Sequence, residues 1–155
     1  MLGLREAWFA GLVDGEGCFT LSISVQHRHS LHISPRFSIS MRKGDWAGEV
    51  ARILREHLIP FHIRERKNQF EITVSSGVAV KRLIGFLLPY LVVKKPLARR
   101  LQRFPKASAR NRFTWVDGSY LNDICSLVDY VRWFNRGKNR RHRWDGESIR
   151  AFYRE

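Results

Sequence analysis

Acidic residues are scarce in this chain. Its 155 residues hold 14 Asp and Glu against 28 Lys and Arg, for a formal charge of +14. Such a surplus excludes a basic partner and selects a polyanionic one, nucleic acid first. Cysteine is scarcer still. Cys18 and Cys125 cannot build a disulfide framework, so they read as buried thiols in a reducing compartment, the cytoplasm or an organellar matrix. No apolar run approaches the roughly 20 residues of a transmembrane helix. The first residues carry acids and no small-residue cleavage site, unlike a secretory signal. At 44% hydrophobic the chain has enough apolar residues for a real core, which excludes wholesale disorder. Ribosomal protein, transcription factor and nuclease all fit these limits.

Periodicity supplies the element order. Residues 2–14 read as a helix with Leu4, Trp8 and Leu12 on an apolar stripe. Gly3, Ala7, Gly11 and Gly15 form a second stripe with almost no side chain. Each helical glycine costs about 1 kcal/mol relative to alanine, so two on one face imply a close neighbour. Strict alternation then marks strands at 19–25 and 31–41, with Leu21, Ile23, Ile33, Phe37, Ile39 and Met41 inward and Ser34 outward. Pro35 implies an edge or a bulge there. Asp45 caps a helix running to about Leu58. Two further strands place Phe61 and Ile63, then Phe70, Ile72 and Val74, inward. Helices follow at 76–88, 94–104, 117–134 and 147–154, with a polar loop at 106–112 and a basic loop at 136–143. The expectation is an α+β fold: an αββαββα core with a four-stranded antiparallel sheet and C-terminal helices, residues 1–135 forming the core and 136–155 a basic loop and short helix of the same domain. The outer strand faces carry Ser, Arg, Gln and Thr, the groups that bond base edges and phosphates, with one acid, Glu71.

Phe9-Ala10-Gly11-Leu12-Val13-Asp14-Gly15-Glu16-Gly17 resembles the core motif of the LAGLIDADG homing endonucleases. Ala10, Gly11, Leu12, Asp14 and Gly17 match it letter for letter, and the helix–strand order over residues 2–134 agrees. Trp115-Val116-Asp117-Gly118 and Asp145-Gly146-Glu147 echo the motif without its helix, so the chain holds one copy. The resemblance implies a homodimer through Gly3, Ala7, Ala10 and Gly11, cutting both strands of a long pseudo-palindromic double-stranded DNA target. Neither a membrane nor a small-molecule substrate is implied. It also implies Mg²⁺, or another divalent ion such as Mn²⁺ or Ca²⁺, held by Glu16 and the Gly15 carbonyl. Asp14 is assigned hydrogen bonding at the helix end rather than metal binding. Pro89-Tyr90-Leu91-Val92-Val93-Lys94 resembles a family segment whose lysine lies near the scissile phosphate, which makes Lys94 a catalytic candidate, with Lys95 as its alternative. The family often has glutamine near Met41, and this chain departs from it there.

The expected DNA contacts are Ser22, Ser24, Gln26, Arg28, Arg36, Ser38, Ser40, Arg42, Lys43, Arg64, Arg66, Gln69, Glu71 and Thr73 on the sheet, and Lys138, Arg140, Arg141 and Arg143 in the basic loop. His27, His29 and His32 are spaced like metal ligands but lack a completing acid or cysteine, so a DNA-facing loop is the preferred reading. An intron RNA maturase and a non-cleaving DNA-binding regulator on the same fold are the alternatives.

Overall fold

A computed structural model describes residues 3–27, 30–104, 118–136 and 143–154. The elements, in order, are α1 (Leu4–Glu16), β1 (Gly17–His27), β2 (Ser30–Arg42), α2 (Trp46–Glu56), β3 (His62–Arg66), β4 (Gln69–Val74), α3 (Gly77–Leu87), α4 (Lys95–Gln102), α5 (Gly118–Phe134) and α6 (Gly146–Phe152). The four strands form one sheet in the order β1-β2-β4-β3, with β4 antiparallel to both β2 and β3. This is the expected α+β fold. No described helix is long and apolar enough to cross a membrane.

The chain divides into two compact units, Met1–Phe19 with Pro35–Lys106, and Thr20–Ser34 with Ala107–Glu155. In the first, Phe9 of α1 meets Phe37 of β2 edge-on, with ring centroids 6.4 Å apart, and also packs near Phe86 of α3. Ile39, Ile53, Leu54, Ile72, Leu83, Ile84 and Leu87 complete this core, all nearly free of solvent contact. The Ser76 hydroxyl caps α3 by accepting from the Ala79 amide. α4 packs on α3 through Leu97, Ala98 and Leu101. In the second unit, Ile124, Val128 and Val131 of α5 are buried, and the Tyr153 hydroxyl accepts from the Leu31 amide at 3.1 Å. Asp145, part of a false echo of the motif, is the N-cap of α6. Its carboxylate accepts from the Ser148 amide at 2.7 Å and pairs with Arg132 at 3.0 Å, and these contacts, the amide first, hold its carboxyl below the usual range. Cys125 is buried, which pushes its thiol above its ordinary value.

Several expectations are corrected. Leu4 and Trp8 face solvent, 70% and 42% exposed, because α1 turns Phe9, Ala10 and Val13 to the core instead. Ile63 is exposed because β3 is a short edge strand with all five residues in solvent. Ser34, expected outward, is buried. Pro35 lies beyond the β2–β4 ladder, which starts at Phe37 opposite Val74, so its missing N–H costs that ladder nothing.

Leu58 leaves the α2 apolar face altogether. It follows the helix at φ 53° and is 77% exposed, while the Ile59 amide closes back on the Leu54 carbonyl at 2.8 Å. This is the left-handed helix-end position that glycine usually takes. Leu58→Gly is therefore expected to raise stability by about 1 kcal/mol, read as a higher urea midpoint at unchanged slope.

Candidate nucleic-acid interface and cleavage site

α1 runs into β1 without a loop. Gly17 is required at the junction, since a side-chain carbon there would lie 2.8 Å from the Val13 carbonyl oxygen. Three residues earlier in the last helical turn, Asp14 accepts three backbone N–H bonds from the segment before α4. Its Oδ2 takes those of Val92 and Val93 at 2.7 and 3.2 Å, and its Oδ1 takes that of Lys94 at 2.8 Å. The Lys94 ammonium in turn donates to the Asp14 backbone carbonyl. A helix end leaves such carbonyls without intrahelical partners, and its dipole favours a cation there. Lys94 is thus buried, 6% exposed, and fixed beside the end of α1, while Lys95 is only half-buried. Asp14 is a structural acceptor, as its expected role required.

Glu16 is different. It is exposed at the last position of α1, and among the described residues it has no hydrogen-bond or ion-pair partner. Gly15 beside it is exposed as well. A carboxylate and a nearby carbonyl are hard oxygen donors, suited to a divalent cation of the Mg²⁺ or Ca²⁺ type. Among the described residues no group of three His, Cys, Asp or Glu is placed to hold a metal. One chain therefore offers a single free carboxylate at this end of the helix.

The four residues of the proposed contact stripe differ from one another. Gly3 is explained within the chain: its φ is 124°, and a side-chain carbon there would lie 2.7 Å from the Tyr90 hydroxyl. Ala10 is wholly buried and has no surface to offer a second copy, which corrects its placement in a dimer face. Ala7 is half-buried. Gly11 and Gly15 stand in the open, with no atom of another described segment within 4 Å of an added side-chain carbon. Leu4 and Trp8 lie on the same side of the helix.

Strand register gathers the sheet residues. Ser38, Thr73 and His62 form one cross-strand row, Ser40, Glu71 and Arg64 the next, and Arg42, Gln69 and Arg66 the third. By the two-residue period these rows share the face opposite Phe37, Ile39 and Ile72, and Arg36 continues it. His62 was missed as a site residue, although its alternation with Arg64 and Arg66 marks it. Two internal contacts cross the face: Arg66 to Glu71 at 3.2 Å and the Ser40 hydroxyl to Gln69 at 3.4 Å. Lys43 is drawn away to the other face, where its ammonium pairs with Glu65 and sits 5.7 Å above the Phe70 ring. Met41 stands opposite Phe70 in that apolar set. On β1, Ser22 is half-buried and Ser24 and Gln26 are exposed, all of one parity. Arg143 is exposed and lies 5.3 Å over the Trp144 ring. Arg28, Lys138, Arg140 and Arg141 fall outside the described residues, as does His29.

The sequence profile of the LAGLIDADG endonuclease family matches residues 9–106. The chain belongs to that family. The DNA endonuclease I-CvuI of Chlorella vulgaris is 26% identical over 138 residues, covering 88% of this chain and 83% of that protein. A crystal structure of I-CvuI, in complex with its target in the presence of Ca, matches this fold with TM-score 0.78 at 20% identity, covering 97% of this chain and 93% of that one. An archaeal intron-encoded homing endonuclease, I-Vdi141I, solved in complex with DNA, gives TM-score 0.67 at 19% identity over 97% and 94%. This chain carries the LAGLIDADG glycines and both motif acids, with glutamate in the second acidic position.

The Asp14 clamp is directly testable. Asp14→Ala removes a charged acceptor from three amides and is expected to cost about 2 kcal/mol or more in denaturant unfolding. The amides of residues 92–94 would then exchange with solvent deuterium faster than those of α3.

Proposed function

We propose that this LAGLIDADG protein is an intron-encoded homing endonuclease that pairs with a second copy of itself and cuts both strands of a long pseudo-palindromic DNA target. The observation that carries this reading is the state of α1. Among the described residues its open glycines meet nothing beyond their own helix, and the acid at the end of the same helix is uncommitted. A second α1 packed along Gly11 and Gly15 would explain the glycines, and twofold symmetry would bring a Glu16 from each copy to one place. A regulator that only bound DNA would have no use for a free carboxylate there.

The three polar rows of the sheet supply donors and acceptors for base edges in the major groove. Arginine suits guanine, glutamine suits adenine, and Glu71, once released from Arg66, suits cytosine. That release is cheap, since a largely exposed ion pair is worth about 1 kcal/mol or less. A strand of nine residues spans roughly 30 Å, so two subunits side by side would cover roughly 20 base pairs.

At the cleavage centre Glu16 and the Gly15 carbonyl would hold Mg²⁺. A divalent cation so held supplies Lewis acidity to the phosphate and a more acidic water. The remaining work falls to the chain. Asp14 fixes the backbone at the helix end, and Lys94 keeps a positive charge beside it, where negative charge develops on the phosphate. Two free carboxylates brought near one axis would repel each other, and bound cations would relieve that repulsion.

Glu16→Gln keeps the shape of the helix end and removes the charge. It is expected to bind the wild-type target within a few-fold of wild-type affinity while cutting about 1,000-fold more slowly with Mg²⁺, a loss of several kcal/mol in the barrier. Wild-type cutting by this variant in a gel assay removes Glu16 from the mechanism. Gly11→Leu separates the two roles of α1. No described residue beyond its own helix lies within 4 Å of the added side-chain carbon, so the subunit should stay folded by circular dichroism, elute as a monomer with light scattering, and fail to cut. A dimeric, active Gly11→Leu protein refutes pairing through this face.

A further inference from the structure

Residues 72–116 contain no Asp or Glu at all, yet carry Lys81, Arg82, Lys94, Lys95, Arg99, Arg100 and Arg103 among their bases. Most of the described acids elsewhere are tied to a base or an amide, as with Glu49 to Arg52, Glu56 to Arg5 and Glu65 to Lys43. α4 departs from that balance. Leu97, Ala98 and Leu101 bury one side of it against α3, and the opposite side presents Lys95, Arg99 and Arg103 at four-residue spacing. Arg99 and Arg103 are exposed, and none of the three has a hydrogen-bond or ion-pair partner among the described residues. From Lys95 to Arg103 the ridge is roughly 12 Å long at 1.5 Å per residue.

The position of this ridge is set by the site already described. It begins one residue after Lys94, whose backbone amide and ammonium are both bonded to Asp14, two residues before Glu16. A phosphate held near Glu16 therefore leaves its neighbours along the strand within reach of α4. The ridge carries no exposed aromatic side chain to stack on a base, and Gln102 is its only amide. Its chemistry suits backbone phosphates of a duplex rather than base edges or unstacked bases.

We infer that the Lys95–Arg99–Arg103 ridge of α4 binds the phosphate backbone of duplex DNA next to the cleaved bond, without regard to sequence. The inference rests on the endonuclease reading for its location and extends the DNA contact beyond the sheet. The ridge neutralises phosphates and adds counterion release to binding, while the sheet rows supply the discrimination.

The test is the salt dependence of binding to a long duplex of arbitrary sequence, measured without divalent metal so that no cutting enters. Arg99→Ala/Arg103→Ala is expected to lower the slope of log affinity against log salt by about 2 per bound subunit, with the same loss on the protein's own target. Arg99→Lys/Arg103→Lys should restore most of the slope. Arg52→Ala, which removes a cation already paired with Glu49, should leave it unchanged. Thermal unfolding of each variant checks that the fold persists. An unchanged slope in the alanine variant overturns the inference, as does a loss confined to the specific target, which would mean base reading. The two readings fail separately. A wild-type protein that cuts nothing yet shows the arginine-dependent slope refutes the endonuclease alone. One that cuts its target with a slope indifferent to Arg99 and Arg103 refutes the ridge alone.

Discussion

The carboxylate of Asp14 is the point on which the site depends. It accepts the amides of three consecutive residues, Val92 to Lys94, and the side chain of the third returns to the Asp14 carbonyl. One residue thus satisfies three donors from a segment without regular structure, and its own carbonyl, left over at the helix end, receives a cation. The part-buried Lys94 amide needs such a partner, and an ionised acceptor is worth about twice a neutral one. Because α1 passes into β1 with no intervening loop, the same clamp also fixes where the strand starts.

Two acids two residues apart consequently have opposite fates. Asp14 and Glu16 are separated by about 200° around the helix at 100° per residue. One turns to the 92–94 segment and is saturated. The other turns to solvent with its backbone held by the first. This separation matters in a chain so poor in acids. Glu6 bonds the Gly3 amide and approaches His57, Glu71 pairs with Arg66, and Asp145 caps α6. Against that background Glu16 is an uncommitted carboxylate next to the Asp14 clamp, inside a motif of glycines.

What the sequence made legible follows from which interactions are local. The strands came from a two-residue alternation, and register then gathered Ser38, Thr73, Ser40, Glu71 and Arg64 onto one face with no further assumption. Caps were less legible: Asp45, expected to cap α2, makes no side-chain capping bond, while the caps that form are Ser76 and Asp145, the second hidden behind its likeness to the motif. The misreadings were non-local. Periodicity finds an apolar stripe but not what covers it: Leu4 and Trp8 lie on such a stripe yet face solvent, while Phe9, Ala10 and Val13 fill the core. Ile63 alternates correctly, but its strand lies at an edge, which only the strand order reveals. Lys43 is a basic residue beside a sheet of basic residues, and only the pairing of β3 with β4 shows Glu65 and Phe70 waiting on the other side. Leu58 takes a left-handed position that its identity gives no reason to expect.

The pairing proposed for α1 also has an energetic argument behind it. Gly11 and Gly15 each cost the helix about 1 kcal/mol relative to alanine, and in the isolated subunit no close contact offsets it. Beside them Leu4 and Trp8 leave apolar surface in water, a further cost that the chain's own core does not relieve. Glycine lowers the separation at which two helices can meet, and exposed leucine and tryptophan on the same side supply area to bury once they do. A subunit that stayed alone would be more stable with alanine at both positions and polar residues at 4 and 8. The helix therefore carries a penalty that a close partner along that face would relieve, and the pairing proposed above would at the same time bring two Glu16 carboxylates together.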